Sequence, residues 1–148
     1  MEGFSMQVPA VNYVAVLAAA VVMFILGGLW YSPVLFVKKW VALQGKTEEQ
    51  MRAEAASANM PLMYVSAFVS SLITAIVMAH ILAHMAFIMP TGAVHGAFFG
   101  FMAWLGFAAP TSYATALFSG KPKQLWLIDS MYNLVSFALA GLILAAWR

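Results

Sequence analysis

Four apolar stretches dominate this chain, and each is long enough to cross a lipid bilayer. About 20 mostly apolar residues are needed to span about 30 Å of hydrocarbon. Residues 11–31, 60–85, 92–118 and 124–147 meet that requirement, and no charged residue lies between Glu2 and Lys38. Charged residues make up only 8% of the chain, against about 25% in an ordinary soluble domain. Seven basic and five acidic side chains among 148 residues cannot supply a polar exterior, so lipid is the fitting solvent for most of the surface. The expected fold is an all-α integral membrane protein. It is a four-transmembrane-helix bundle forming one domain over residues 1–148. Residues 33–58 make a short helical connection between the first two spans.

The same composition excludes several functions. A formal net charge of +2 is too small to suggest nucleic acid. The absence of cysteine removes disulfides, thiolate metal sites and covalently attached haem. No Lys or Arg precedes the first apolar run, whereas a cleaved secretory signal carries a basic leading region. All 148 residues are therefore expected in the mature protein. No nucleophile–base pair or metal motif appears, so the chain is not expected to be an enzyme or to carry a cofactor.

The connection after the first span is the only substantial polar region. Trp30 and Tyr31 read as interfacial aromatics. Ser32 and Pro33 have the pattern of a helix start, with Ser as the cap and Pro in the first turn. Residues 34–41 mix bulky apolar side chains with Lys38 and Lys39, as a short helix in the headgroup region would. Gly45 ends that helix. Thr47 and Gln50 have the spacing of a capping box, which predicts a second, solvated helix over residues 48–58. Pro61 opens the second span. Pro110 falls inside the third span and removes a backbone donor, which predicts a kink over residues 106–110, with a helix broken outright there as the alternative.

Orientation follows from the basic residues. Lys38, Lys39, Lys46 and Arg52 lie in the first connection, and Lys121 and Lys123 in the third. The second connection, at Pro90 and Thr91, has none, and only Arg148 is opposed. The positive-inside rule puts both basic connections in the cytoplasm and both termini outside.

Helix association in lipid depends on close packing and polar contacts. Gly92, Gly96 and Gly100 recur every four residues on the third span. Ser66, Ser70 and Thr74 form a stripe on the second, beside Ala67, Ser71, Ala75 and Ala79. Such small-residue faces serve packing within the bundle or between subunits, and the small size of the bundle favours an oligomer.

Asp129 is the acidic residue within a predicted span. It lies about five residues from the start of its helix, about 8 Å deep at 1.5 Å per residue. Asn133 and Ser136 follow on the same helical face, with Tyr132 adjacent. Two readings are open. The carboxylate is structural, bonded to loop backbone, to Lys121 or Lys123, or to Thr111, Ser112 and Thr115. Alternatively it is an ion or proton site, the default suspicion for an ionisable group in a membrane. His80 and His84 are one turn apart near the outer face, and His95 opens the third span. They are weak metal or haem candidates, since no acidic residue or cysteine lies near them in sequence. They should lie on the order of 20 Å from Asp129 in a span about 30 Å thick, too far for a direct relay. The methionines and aromatics are dispersed and read as lipid-facing and gap-filling residues.

Several motifs together resemble a known family. They are Val11-Asn12-Tyr13-Val14-Ala15-Val16-Leu17, Gly28-Leu29-Trp30-Tyr31-Ser32-Pro33, Lys39-Trp40, Gly45-Lys46-Thr47, Trp104-Leu105-Gly106-Phe107, Leu125-Trp126-Leu127-Ile128-Asp129, Tyr132, Gly141 and Ala146-Trp147. In this order the chain resembles the bacterial membrane family catalogued as domain of unknown function 1761. Val37 departs from the pattern, which tends to have Gly before the Lys. The resemblance implies a four-helix bacterial inner-membrane protein and implies no activity. Two functions fit: an oligomer forming an ion or small-solute pathway, or a non-catalytic accessory or scaffold subunit of a larger membrane complex.

Overall fold

The structure, a computed structural model, describes residues 9–148. The expectation about a signal segment rests on residues 1–8 and lies outside the described residues. All regular structure among the described residues is helical, and four helical stretches are long and apolar enough to cross a membrane. The elements are α1 (Tyr13–Trp30), α2 (Val37–Leu43), α3 (Glu48–Ser57), α4 (Met60–Met85), α5 (Ala93–Ala103), a π-helical turn (Trp104–Ala108), α6 (Ala109–Phe118) and α7 (Lys123–Ala146).

Local chemistry sets most of the boundaries. The Asn12 side chain accepts the Val14 and Ala15 N–H groups at 3.0 and 3.2 Å, which starts α1. Asn59 does the same for α4 by accepting from Leu62, with Pro61 in the first turn. Thr47 and Gln50 form the reciprocal capping box of α3. Because α3 buries none of its residues, Thr47→Ala is expected to fray that helix alone, at a cost of about 1 kcal/mol. Amide exchange should rise in α3 and stay unchanged in the four spans.

Ser32 and Pro33 do not start a helix, contrary to the sequence reading. They lie in a run of turns, and α2 begins only at Val37. The Ser32 hydroxyl donates back to the Leu29 carbonyl at 2.6 Å, and the Phe36 N–H bonds the Trp30 carbonyl at 3.2 Å. These bonds fold the chain back over the end of α1. The Trp30 and Phe36 rings pack at a tilt, with centroids 4.9 Å apart, across the reversal.

The third span is not broken at Pro110. Pro110 lacks an N–H, and its ring would clash with the carbonyl four residues back in an α-helix. The backbone widens instead. The Ala109 N–H bonds the Trp104 carbonyl, five residues back, through the π turn. Thr111 donates its hydroxyl to the Phe107 and Ala108 carbonyls beside it. The turn also carries one extra residue. Gly96, Gly100 and Trp104 step by four along the face toward α7, and after the turn that face resumes with Ala109, Ser112 and Ala116.

The bundle is organised around α7, which packs on α1, α4, α5, α6 and α2. The tightest contact is between α5 and α7. A Cβ at Gly96 would overlap the Gly141 carbonyl oxygen and the Ala145 Cβ, and one at Gly100 would overlap the Phe137 carbonyl oxygen. Gly141 meets Gly96 in the same way from the other side. Backbones therefore touch directly, as small residues permit in membrane helices. Gly92 contributes only the bend before α5, at a positive φ of 131°. Between α1, α4 and α7 the interior is a buried cluster of small and flexible apolar side chains, chiefly Ala15, Ala19, Met23, Ala75, Met78 and Ala140. Asn12 donates to the Trp147 carbonyl at 3.4 Å and Arg148 to the Leu82 carbonyl at 3.3 Å. These bonds close the end of the bundle opposite the basic connections.

Candidate functional site: a carboxylate held by tyrosine and tryptophan

Asp129 sits half-buried near the start of α7, at the basic end of the bundle. Its Oδ1 accepts two hydrogen bonds from elsewhere in the chain. The Tyr31 hydroxyl donates at 2.7 Å from the end of α1, and the Trp40 indole N–H donates at 3.1 Å from α2. A phenol is protonated at neutral pH, so Tyr31 is the donor in its bond to Asp129.

The residues on either side of Asp129 are tied in the same manner. Trp30 donates to the Ile128 carbonyl at 3.1 Å. Trp104, from the π turn, donates to the Ser130 carbonyl at 2.9 Å and contacts its hydroxyl at 3.2 Å. Three consecutive residues of α7 thus each accept an indole N–H, from α1, α2 and the third span. One turn on, Tyr132 donates to the Met23 carbonyl of α1 at 3.2 Å, and its ring lies 5.8 Å from that of Tyr31.

The partners of Asp129 differ from those expected. Neither Lys121 nor Lys123 forms an ion pair with it, and Lys46–Glu54 at 2.7 Å is the salt bridge among the described residues. The hydroxyls of Thr111, Ser112 and Thr115 bond carbonyls of their own helix. Tyr31 had read as an interfacial aromatic and Trp40 as part of a short headgroup-level helix, and nothing in their spacing points to a residue some ninety positions away. The visible signal was their occurrence in the same set of motifs as Asp129.

Asn133 and Ser136 continue inward along α7. Asn133 is half-buried, while Ser136 is buried and its Oγ has no hydrogen-bond partner among the described residues. Beyond Ser136 the interior is the apolar cluster already described. Ser66 and Ser70 are exposed on the outer side of α4, with Ser70 donating to the Ser66 carbonyl at 2.8 Å. Each of the paired histidines bonds its own helix through Nδ1, His80 to the Ile76 carbonyl at 2.8 Å and His84 to the His80 carbonyl at 2.7 Å. His95 is exposed at the same end. No group of three His, Cys, Asp or Glu side chains among the described residues is arranged to hold a metal.

Asp129 borders two clefts. One, of about 280 Å³, lies toward α2 beside Trp40 and Gln44. The other, of about 380 Å³, lies between α6 and α7 and is lined by Thr111, Ser112, Thr115, Lys121, Trp126 and Asp129. Both hydrogen bonds to the carboxylate fall on Oδ1, and Oδ2 has no donor among the described residues.

The family model described as Protein of unknown function (DUF1761) matches residues 14–145. No curated protein and no solved structure matches the chain.

Proposed function

The chain belongs to the DUF1761 family, whose description carries no activity, and from the site itself we propose a non-catalytic scaffold subunit of the bacterial inner membrane. The observation that carries this reading is the convergence of Tyr31 and Trp40 on Asp129, between the Trp30 and Trp104 ties. It supports a carboxylate whose work is to fix α1, α2 and the third span onto α7. Beyond Ser136 the interior among the described residues is chiefly an apolar cluster, which argues against an ion route through one copy. The basic connections face the cytoplasm in this reading, and the termini face the periplasm.

Purification from native membranes in mild detergent is expected to yield a larger membrane protein in fixed stoichiometry. Recovery of the chain alone, together with flux in liposomes, would sink the scaffold reading. The topology has a separate test, which the lack of cysteine makes clean. An impermeant maleimide should label Thr91→Cys in intact spheroplasts, and Gln50→Cys only after lysis. The reverse pattern would invert the orientation.

A second reading has one observation in its favour. The buried, unpartnered Ser136 hydroxyl continues the line from Asp129 and Asn133. A homo-oligomer could complete such a line into an ion or small-solute pathway between copies. Proton, cation or solute flux in liposomes that exceeds an Asp129→Asn control would favour it, and equal flux would remove it.

A further inference from the structure

The cleft between α6 and α7 has an unusual balance of hydrogen-bonding groups. Its hydroxyl protons are already committed. Thr111 donates to the Phe107 carbonyl, Ser112 to the Ala109 carbonyl at 3.2 Å and Thr115 to the Thr111 carbonyl at 3.0 Å. The Trp126 indole N–H is spent on the Ser112 oxygen at 3.0 Å. What remains among the lining residues is acceptors: hydroxyl lone pairs and Asp129 Oδ2, which no donor among the described residues occupies. The free donor among the lining residues is the exposed Lys121 ammonium.

An acceptor-rich pocket beside a carboxylate suits a group with several N–H donors and a positive charge, which is a primary ammonium. The lysine suits an anion attached to it. The location supplies the third part of the ligand. At this end α6 packs chiefly on α7, and the cleft is lined by these two helices and the loop between them, so it opens sideways toward the end of the spans, near headgroup level. Tyr113 and Trp126 form an edge-on pair there, with centroids 4.9 Å apart, and Leu117 and Phe118 stand exposed beside them. Interfacial aromatics of this kind mark headgroup level.

We propose that this cleft binds a phospholipid with a primary-ammonium headgroup, phosphoethanolamine in type. The ammonium donates to Asp129 Oδ2 and to the Thr111 and Thr115 oxygens. The phosphate takes the Lys121 ammonium, and the acyl chains follow the apolar outer face of α6. A trimethylated headgroup has the same charge and no N–H, so it cannot make these bonds. The site uses the carboxylate oxygen that the Tyr31 and Trp40 bonds leave over, and it does not depend on the scaffold reading.

The test is native mass spectrometry of the full chain from micelles holding equal amounts of phosphatidylethanolamine, phosphatidylcholine and phosphatidylglycerol with matched chains. The ethanolamine lipid should be retained over the other two by about tenfold, the size of one charge-assisted hydrogen bond. Asp129→Asn should abolish the preference. Lys121→Gln should weaken retention of all three lipids, since each carries the phosphate, and leave the order of preference unchanged. Thr111→Val with Thr115→Val leaves the Tyr31 and Trp40 bonds intact and should still reduce the preference, which covers the case in which Asp129→Asn fails to fold. Equal retention of the three lipids overturns the proposal, as does a preference that survives Asp129→Asn or is undiminished in the double threonine variant. Displacement of the lipid by soluble glycerophosphoethanolamine would make a free amine the ligand and would overturn the lipid assignment.

Discussion

Gly96→Val is expected to detach α5 from α7. The new Cβ would enter the space of the Gly141 carbonyl oxygen and the Ala145 methyl. Backbone atoms cannot rotate aside, so the helices must move apart along their contact. Overpacking costs about 1–3 kcal/mol in soluble cores and occasionally more. In lipid the separated faces gain no compensating hydrophobic burial, because the solvent is as apolar as the side chains. A loss of about 3 kcal/mol, at the top of that range, is the expectation. Gly28→Ala is the matched control. Nothing lies within 4 Å of its added methyl, and a helical Gly→Ala change gains up to about 1 kcal/mol. Unfolding midpoints in mixed micelles should separate the two variants clearly. Equal midpoints would mean that the glycine contact does not hold the third span.

The second large effect should come from Asp129→Ala. It strips the acceptor from the Tyr31 hydroxyl and the Trp40 indole together. A buried donor left without a partner costs about 1–3 kcal/mol. Both donors are half-buried rather than sealed, so a total of about 3 kcal/mol is expected. Asp129→Asn keeps an amide oxygen for the same donors and should cost less. Asn133→Ala removes a side chain that makes no hydrogen bond among the described residues and should cost least. A double-mutant cycle of Asp129→Asn with Tyr31→Phe should give a non-zero coupling energy. Additivity in that cycle, or an alanine variant as stable as Asn133→Ala, would dismiss the carboxylate as a structural centre.

The architecture was largely legible because lipid leaves a chain few choices. Span lengths, the capping box at Thr47 and Gln50, and the opening of α4 at Pro61 follow from local rules that need no partner. The sequence reading stopped where partners matter. Ser32 and Pro33 satisfy a helix-start pattern, yet the hydroxyl turns back to Leu29 and the packing of Trp30 against Phe36 wins. Pro110 announced a disturbance, but not that one extra residue would return Ala109 and Ala116 to the face of Gly96 and Gly100. Asp129 drew attention by its charge in an apolar segment, while its partners stand at positions 31 and 40. No periodicity links those positions to α7. The four-residue spacing of Gly96 and Gly100 was visible, whereas their apposition to Gly141 required the fold.

The clustering of indoles has an optical consequence. Four of the five tryptophans, Trp30, Trp40, Trp104 and Trp126, make hydrogen bonds within the segment 126–130 or from it, and the fifth, Trp147, stands exposed at the other end. The ultraviolet emission of the unlabelled protein is therefore mostly a report on one stretch of α7. A change in charge, hydration or occupancy beside Asp129 reaches several emitters at once, and the wavelength of that emission becomes a native gauge of the site.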